Sequence, residues 1–184
     1  MAEPIPPRQS ELDQEPATAR LPQDKIAIFA ASAALKIELE APYGKPPGIA
    51  VDAASKVGSG YDWENKIRIK LAQEEILHLA AVTRRLLPAA KFSGHGAAHN
   101  KSLEAINQGQ TLLIRVFDPA AATLQDGKQS GGLKLVPVTC EKTAFLTALC
   151  YRCLSMAMGV DPMTVASITS DFATRATQPT ARPT

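Results

Sequence analysis

The sequence predicts an α+β fold in which one motif, a run of antiparallel β-strands followed by a helix, is used twice. Short segments alternate apolar and polar residues with the period of two that a strand imposes. Two longer segments have the apolar spacing of helices, and each follows a group of strands. The order of elements is therefore strands, helix, strands, helix.

The first group of strands begins with the apolar segment Lys25 to Glu40, which is interpreted as one strand. Its LKIELE portion places leucine and isoleucine on one face and lysine and glutamate on the other. Prolines and glycines from Pro42 onward end this strand. GIAVD, residues 48–52, predicts a short second strand before the turn at 58–60. The first repeat looks short here, so one of its strands is expected to be reduced.

The next predicted strand carries three cations on one face. Lys66, Arg68 and Lys70 alternate with two isoleucines, so the cations face one way and the isoleucines the other. Tyr61 and Trp63 lie directly before this strand. Aromatic rings beside cations are what single-strand binders use, with bases stacked on rings and cations along the phosphates. Two plainer interpretations stay open: a core or hinge role for the single tryptophan, and an ordinary solvated strand face.

The first helix is predicted from the segment AQEEILHLAAVTRRLL. Glu74 and Glu75 lie in its first turn and Arg84 and Arg85 near its end, which matches the helix dipole at both ends. Pro88 ends it.

The second half predicts four strands and a helix. The strands are KFSGHGAAHN running into a glycine-rich turn, KSLEAIN, QTLLIRVFD, and LKLVPVT after the polar turn DGKQSGG. The helix runs from Glu141 to Met158, with Thr139 as N-cap and Gly159 at its end. It is apolar around much of its circumference, which predicts burial on more than one side and therefore oligomerisation.

Both ends are expected to be tails outside the fold. Residues 1–24 and 162–184 are rich in Pro, Thr, Ala and Gln, which predicts disorder and leaves a domain at 25–161. There is neither an apolar run long enough to cross a bilayer nor a secretory signal. Three cysteines are an odd number and favour a reducing compartment. A soluble protein, cytoplasmic or nucleoid-associated, is expected.

Candidate catalytic and metal-binding residues give little support for an enzyme. His95 and His99 are four residues apart, but the neighbouring glycines favour a turn over a metal-binding helix. Cys150 and Cys153 lie inside the apolar helix and are interpreted as buried thiols. His78 is interpreted as a core or partner-facing residue of the first helix. Neither a P-loop nor a GxSxG motif is present, so no metal, cofactor or enzymatic activity is expected.

Several segments carry a resemblance to a known family. They are YDWENK at 61–66 followed by a strand and a helix that opens on a Glu pair, KSLEA at 101–105, VPVTCEKTAFLTAL with MGVD at 136–161, and SAALKIELEAP at 32–42. In order and approximate spacing they are similar to the Whirly family of single-stranded-DNA-binding proteins. Its wider superfamily includes the kinetoplastid mitochondrial RNA-binding proteins and coactivator-type single-strand-binding transcriptional regulators.

The resemblance implies a repeated ββββα motif, with two antiparallel four-stranded sheets packed with two helices. It also implies a homotetramer formed through the helices, with single strands lying over the sheet surfaces. The chain departs from the plant family directly before its Ala-Ala-Leu segment. The plant proteins have lysines there, whereas this chain has Ala30, Ala31 and Ser32.

Candidate nucleic-acid contacts follow from the predicted strand faces. Aromatic stacking is expected from Tyr61, Trp63 and Phe92. Phosphate contacts are expected from cations on or beside strands, namely Lys66, Arg68, Lys70, Lys91, Lys101, Arg115 and Lys134. A solvated strand face is an equally good interpretation of any one of these cations.

Two functions from different classes remain open. The first is a protein that binds single-stranded nucleic acid, with DNA favoured and little sequence specificity, and coats strands in replication, recombination, repair or mobile-element transfer. The second is an oligomeric scaffold or adaptor of the same fold without nucleic-acid affinity, which the net charge of +2 permits. An RNA-binding protein is a further alternative.

Overall fold

The structure, a computed structural model, describes residues 24–178 apart from 122, 126, 127 and 131. The strands are β1 (Lys25–Phe29), β2 (Ala33–Glu40), β3 (Gly48–Val57), β4 (Gly60–Tyr61), β5 (Ile67–Leu71), β6 (Ala89–His95), β7 (Lys101–Asn107), β8 (Leu112–Phe117), β9 (Thr123–Gln125), β10 (Lys128–Ser130) and β11 (Leu133–Val138). The helices are α1 (Gln73–Thr83), α2 (Cys140–Met158) and α3 (Pro162–Thr177).

The first sheet is antiparallel and has the order β1-β2-β3, with β5 and the short β4 both paired to β3. Two expectations are corrected here. The segment Lys25 to Glu40 is a hairpin of two strands, because the small residues 30–32 let the chain reverse without a proline or glycine, and the amide of Ala30 donates to the carbonyl of Ala33 (2.9 Å). The strand at GIAVD is ten residues long, so the first repeat is not reduced.

The second sheet is antiparallel and has the order β11-β8-β7-β6. A separate two-stranded hairpin, β9 with β10, lies between β8 and β11, in the region where the sequence predicted only a polar turn. Four main strands and a helix therefore occur twice, as β1, β2, β3, β5, α1 and then as β6, β7, β8, β11, α2. The predicted α+β fold with a repeated ββββα motif is confirmed.

One hydrophobic core joins the inner faces of both sheets to the helices. Alternating residues of each strand supply it, as a strand period of two requires. Its fully buried members include Ile37, Val51, Ile69, Leu79, Leu103, Ile114, Val136, Leu146 and Leu149.

The helix boundaries follow the predicted caps with one difference. The hydroxyl of Thr139 accepts from the amide of Lys142 (3.3 Å), and α2 closes at Gly159 in the left-handed region (φ 67°). Both caps of α2 are confirmed. Helix α1 ends at Thr83, before the arginine pair, and the second arginine, Arg85, has a positive φ of 62°.

Residues 162–177 form helix α3 and not the predicted disordered tail. The carboxylate of Asp161 caps the helix by accepting from the amides of Met163 (2.8 Å) and Thr164 (3.1 Å), and Pro162 suits the first turn. The chain therefore continues as ordered structure past the predicted boundary at 161.

Helix α3 belongs to the same core because one of its faces is buried. Val165, Thr169 and Ala173 recur every four residues on that face. Arg84, directly after α1, donates to the carbonyl of Ala166 (3.1 Å) and to the hydroxyl of Ser170 (3.0 Å). These small residues bury little area each, so composition predicts a tail although their spacing is helical.

Of the predicted N-terminal tail, 1–24, the structure describes only the last residue, Asp24. Its carboxylate pairs with Arg152 (3.2 Å). Residues 1–23 and 179–184 lie outside the described part of the chain. Within 24–178, no single helix is long and apolar enough to span a membrane; α2 and α3 pass by length and composition only as a pair bent by 101°.

Candidate nucleic-acid interface

The outer face of the first sheet, opposite the core, is continuous across its strands. Lys36 on β2 lies opposite Asp52 on β3, which lies opposite Arg68 on β5. Paired residues of an antiparallel sheet project to the same side. The predicted alternation of β5 is confirmed, since its isoleucines are buried and its cations lie on this outer face.

Two carboxylates, Asp52 and Glu40, hold the three cations of the predicted basic strand, Lys66, Arg68 and Lys70. We call these five residues the carboxylate network. Lys66 Nζ lies 2.7 Å from Asp52 Oδ2, and Arg68 Nη1 lies 2.9 Å from both oxygens of Asp52. Arg68 also donates to Glu40 through its second terminal nitrogen, and Lys70 Nζ lies 2.6 Å from Glu40 Oε2. The network thus has one more cation than carboxylates.

The pKa of Glu40 is lowered in the carboxylate network. The hydrogen bond from Lys70, aided by the charges of Lys70 and Arg68 and opposed by partial burial, lowers the pKa of Glu40 below its usual 4.5. A carboxylate with a lowered pKa contributes stability above its unfolded-state pKa and loses that contribution as the pH falls through the folded-state value.

Replacing Glu40 with Gln should lower the free energy of unfolding at neutral pH by about 1 kcal/mol, the scale of a partly exposed ion pair. The difference from the wild-type chain should shrink as the pH falls below 4.5, where the unfolded wild-type chain binds its proton first. Urea denaturation across a pH series measures this. The exposed Glu64→Gln is the control for a lost carboxylate, and a difference that stays constant with pH would contradict the prediction.

Three rings form an aromatic cluster at one end of the same face: Phe29, Tyr61 and Trp63. The ring centroids of Phe29 and Tyr61 are 5.4 Å apart, and those of Tyr61 and Trp63 are 6.3 Å apart. The Tyr61 hydroxyl donates to the carbonyl of Ala30 (2.9 Å), which ties the cluster to the β1–β2 turn. Phe29 is 61% exposed, and the other two rings are partly exposed. Such rings offer stacking surfaces for flat ligands.

Lys36 connects the aromatic cluster to the carboxylate network. Its Nζ lies 3.8 Å from the centroid of the Trp63 ring, a cation–π contact. The loop that carries Trp63 is closed by Asp62, whose carboxylate accepts from the amide (3.1 Å) and the side-chain nitrogen (2.9 Å) of Asn65. The ring is therefore contacted by Lys36 and Tyr61 and is carried by a hydrogen-bonded loop.

The second sheet presents a different outer face. Lys91, Glu104 and Arg115 form a row across β6, β7 and β8, and Arg115 Nη1 lies 3.1 Å from Glu104 Oε2. Apolar side chains flank this row, and those at least two-fifths exposed are Phe117, Leu133 and Leu135. This face offers fewer cations than the first, and its exposed apolar side chains are mainly aliphatic.

Two predicted contact residues lie on the inner side and are corrected. Phe92 is only 5% exposed and sits opposite Leu103 in the core, so it cannot stack a base. Lys134 is 6% exposed and shares the inner face of β11 with Val136, and its burial lowers its pKa. The segment LKLVPV is apolar on both of its faces, so the sequence did not show which face is buried.

Lys101 is only partly exposed. Its Nζ lies 3.0 Å from the carboxylate of the buried Asp118, at the end of β7 beside a bulge in β6. Lys101 therefore has a carboxylate partner, as the first-sheet cations do. The first-sheet cations Lys66, Arg68 and Lys70, by contrast, share one face with two of the predicted rings.

The histidines have separate partners. His95 Nε2 lies 2.9 Å from the carboxylate of Glu75, and His99 Nδ1 lies 2.9 Å from the carbonyl of Gly94. In the described part of the chain, no group of three His, Cys, Asp or Glu side chains is placed to hold a metal ion. His78 packs its ring against Phe172 of α3, with centroids 4.6 Å apart.

The two cysteines of the CxxC segment are buried in α2. Burial raises the pKa of both thiols, that of Cys153 to about 11. A thiol with a raised pKa holds its proton at neutral pH and is a poor nucleophile. The interpretation of these residues as buried thiols is confirmed.

Sequence reasoning missed four residues of the first-sheet outer face. Phe29, Lys36 and Glu40 occupy polar-side positions in their strands, and Asp52 is the only charged residue in the apolar run GIAVD. The alternation placed these residues on a face, but their partners lie on other strands. Their role as contacts depends on register, which the local pattern does not show.

The comparisons with known proteins concern fold. No protein-family model matches the chain, and no curated protein matches it. The solved structure of the plant transcriptional regulator PBF-2 is 15% identical, with a TM-score of 0.54 over 85% of this chain and 88% of that one. Trypanosoma brucei MRP1/MRP2 is 11% identical, with a TM-score of 0.47 over 73% of this chain and 92% of that one. The architecture and the likeness to PBF-2 together show that this chain has the Whirly-like fold.

Proposed function

We propose that this protein binds single-stranded nucleic acid, with DNA favoured, on the outer face of the first sheet. The observation that carries the proposal is the partly exposed aromatic cluster beside Lys36 and the cations of β5. The fold shared with a plant transcriptional regulator supports it.

The rings would contact the bases of the strand, and the cations would contact its phosphates. Unstacked bases would lie on Phe29, Tyr61 and Trp63, each stacked base contributing about 1–3 kcal/mol without regard to its identity. Lys36 would move from the Trp63 ring to a neighbouring phosphate. Because neither contact reads base edges, sequence preference would be weak.

The wider role would be the coating of exposed strands. Lys91 and Arg115 on the second sheet would extend the contact surface. Assembly as a homotetramer through the helices would bring several faces together, and large exposed apolar side chains on α2 and α3 support it, namely Phe145, Met156, Met158 and Met163. Such a protein would act in the cytoplasm or nucleoid, in replication, recombination, repair or mobile-element transfer.

Fluorescence anisotropy of a labelled oligo-dT of about thirty nucleotides tests the proposal, since single-strand sites span several nucleotides. We expect binding at low salt that weakens as salt rises, because phosphate contacts release counterions. Replacing Arg68 and Lys70 with Gln should weaken binding by about threefold to tenfold and flatten the salt dependence. Arg85→Gln with Arg175→Gln, both exposed, one just after α1 and the other on α3, is the charge-matched control.

The absence of oligo-dT binding at low salt would contradict the proposed function. Unchanged affinity in the Arg68 and Lys70 variant would instead remove the basic strand from the interface. Unlabelled duplex and RNA competitors distinguish single-stranded DNA from the other ligands.

The oligomeric scaffold remains a second candidate because of two observations. The cations of the basic strand already have carboxylate partners within the sheet, and the helices expose apolar side chains. Light scattering that shows a stable oligomer, in a protein that binds neither DNA nor RNA, would favour the scaffold.

A further inference from the structure

We propose that Glu40 and Asp52 are specificity-determining residues that make the first-sheet outer face select single strands over other polyanions. The inference rests on the proposed function. The two carboxylates occupy the cations of β5, so a ligand that offers only negative charge gains little there. A ligand that also stacks its bases on the aromatic cluster gains the binding free energy that the paired cations do not provide.

The geometry shows a preformed anion pair within the sheet. Asp52 is only 7% exposed and receives Lys66 and Arg68 at 2.7–2.9 Å. Glu40 receives Lys70 at 2.6 Å and the other end of the Arg68 guanidinium. Both carboxylates are carried by regular strands whose register places them beside the cations.

A phosphate that approaches this face must compete with an existing anion. If it displaces a carboxylate, the cation exchanges one charge-assisted partner for another, and the carboxylate loses its own partner. If it binds without displacement, it meets two negative charges nearby. In either case the cations contribute less than free cations would. Polyanions without accessible bases, such as heparin or duplex DNA, depend on this reduced contribution alone.

The aromatic cluster supplies the preference for unpaired bases that the cations do not provide. Lys36 lies over the Trp63 ring and opposite Asp52 in the strand register, so the rings and the carboxylate network adjoin. Bases splayed from a single strand can reach the rings, whereas paired bases in a duplex are stacked on each other. Selectivity then arises because the carboxylates weaken most the ligands that depend on these cations alone, whereas a single strand is also held by the rings and relies less on them.

The test compares the wild-type chain with Asp52→Asn and Glu40→Gln combined, which keeps the shape of both side chains. The ligands are labelled oligo-dT, a labelled duplex of the same length and labelled heparin. We expect affinity for duplex and heparin to rise by about tenfold or more, and that for oligo-dT by only about threefold, because the cations now accept any anion. The control variant, Glu141→Gln with Asp171→Asn, makes the same charge change on the helices.

Unchanged affinity for heparin and duplex in a folded double variant overturns the inference, as does an equal gain in the control. Glu40→Gln alone is the second variant if the buried Asp52→Asn lowers stability too far, and it should show a smaller shift in the same direction. The oligo-dT titration judges the proposed function separately. A wild-type chain that fails to bind oligo-dT rejects that function, whereas the heparin gain still decides whether the carboxylates mask the cations.

Discussion

Replacing Phe29 and Trp63 together with Ala should weaken oligo-dT binding by about 25-fold or more, the product of the losses at the two rings. Stacking on one ring contributes about 1–3 kcal/mol per base, which corresponds to a factor of about 5 to 150 for each ring. Phe29 is 61% exposed and Trp63 partly so, so both present surface to a ligand. Anisotropy at one fixed salt concentration measures the loss.

Tyr43→Ala provides the matched control, because Tyr43 is a fully exposed aromatic residue in the loop between β2 and β3. Its loss should leave affinity unchanged. Trp63 is the only tryptophan of the chain, so its intrinsic fluorescence reports directly on the cluster. Stacked bases should quench that fluorescence in the wild-type protein. Full affinity without the two rings would reject stacking on this face.

Ending the chain at Asp161, which removes α3, should lower the free energy of unfolding by about 2–5 kcal/mol, the scale of losing a large buried group from a core. The deletion removes the buried Val165 and Ala173 and takes Phe172 away from His78. It also exposes the surfaces of α1 and α2 that α3 covers. Urea denaturation followed by circular dichroism measures the change.

A chain that ends at residue 178, and so lacks only 179–184, is the control and should match the full chain within about 0.5 kcal/mol. Val165→Asp tests the same packing if the truncated chain fails to accumulate, because it places a charge in the core without shortening the helix. Equal stability of the truncated and full chains would restore the interpretation of 162–177 as a tail.

Local patterns predicted the elements whose signals lie within a few residues. The alternation of β5, the caps of α2 at Thr139 and Gly159, and the repeated order of strands and helix are all present in the structure. Each depends on side-chain period or on backbone hydrogen bonds at a helix end. The corrected elements lacked such signals. The β1–β2 turn has neither proline nor glycine, and α3 has small residues that resemble a tail in composition.

The candidate interface shows the same difference between features with local sequence signals and features without them. The sequence by itself determined that Lys66, Arg68 and Lys70 share one face and that Tyr61 and Trp63 lie next to them, because the strand period and chain continuity require it. Only the tertiary structure decided which anions those cations meet and which rings complete the cluster. Register brings residues from separate strands into contact, and that register depends on pairing across the whole sheet. Burial of Phe92 and Lys134 was decided in the same way, since it depends on which face of the second sheet packs against the core.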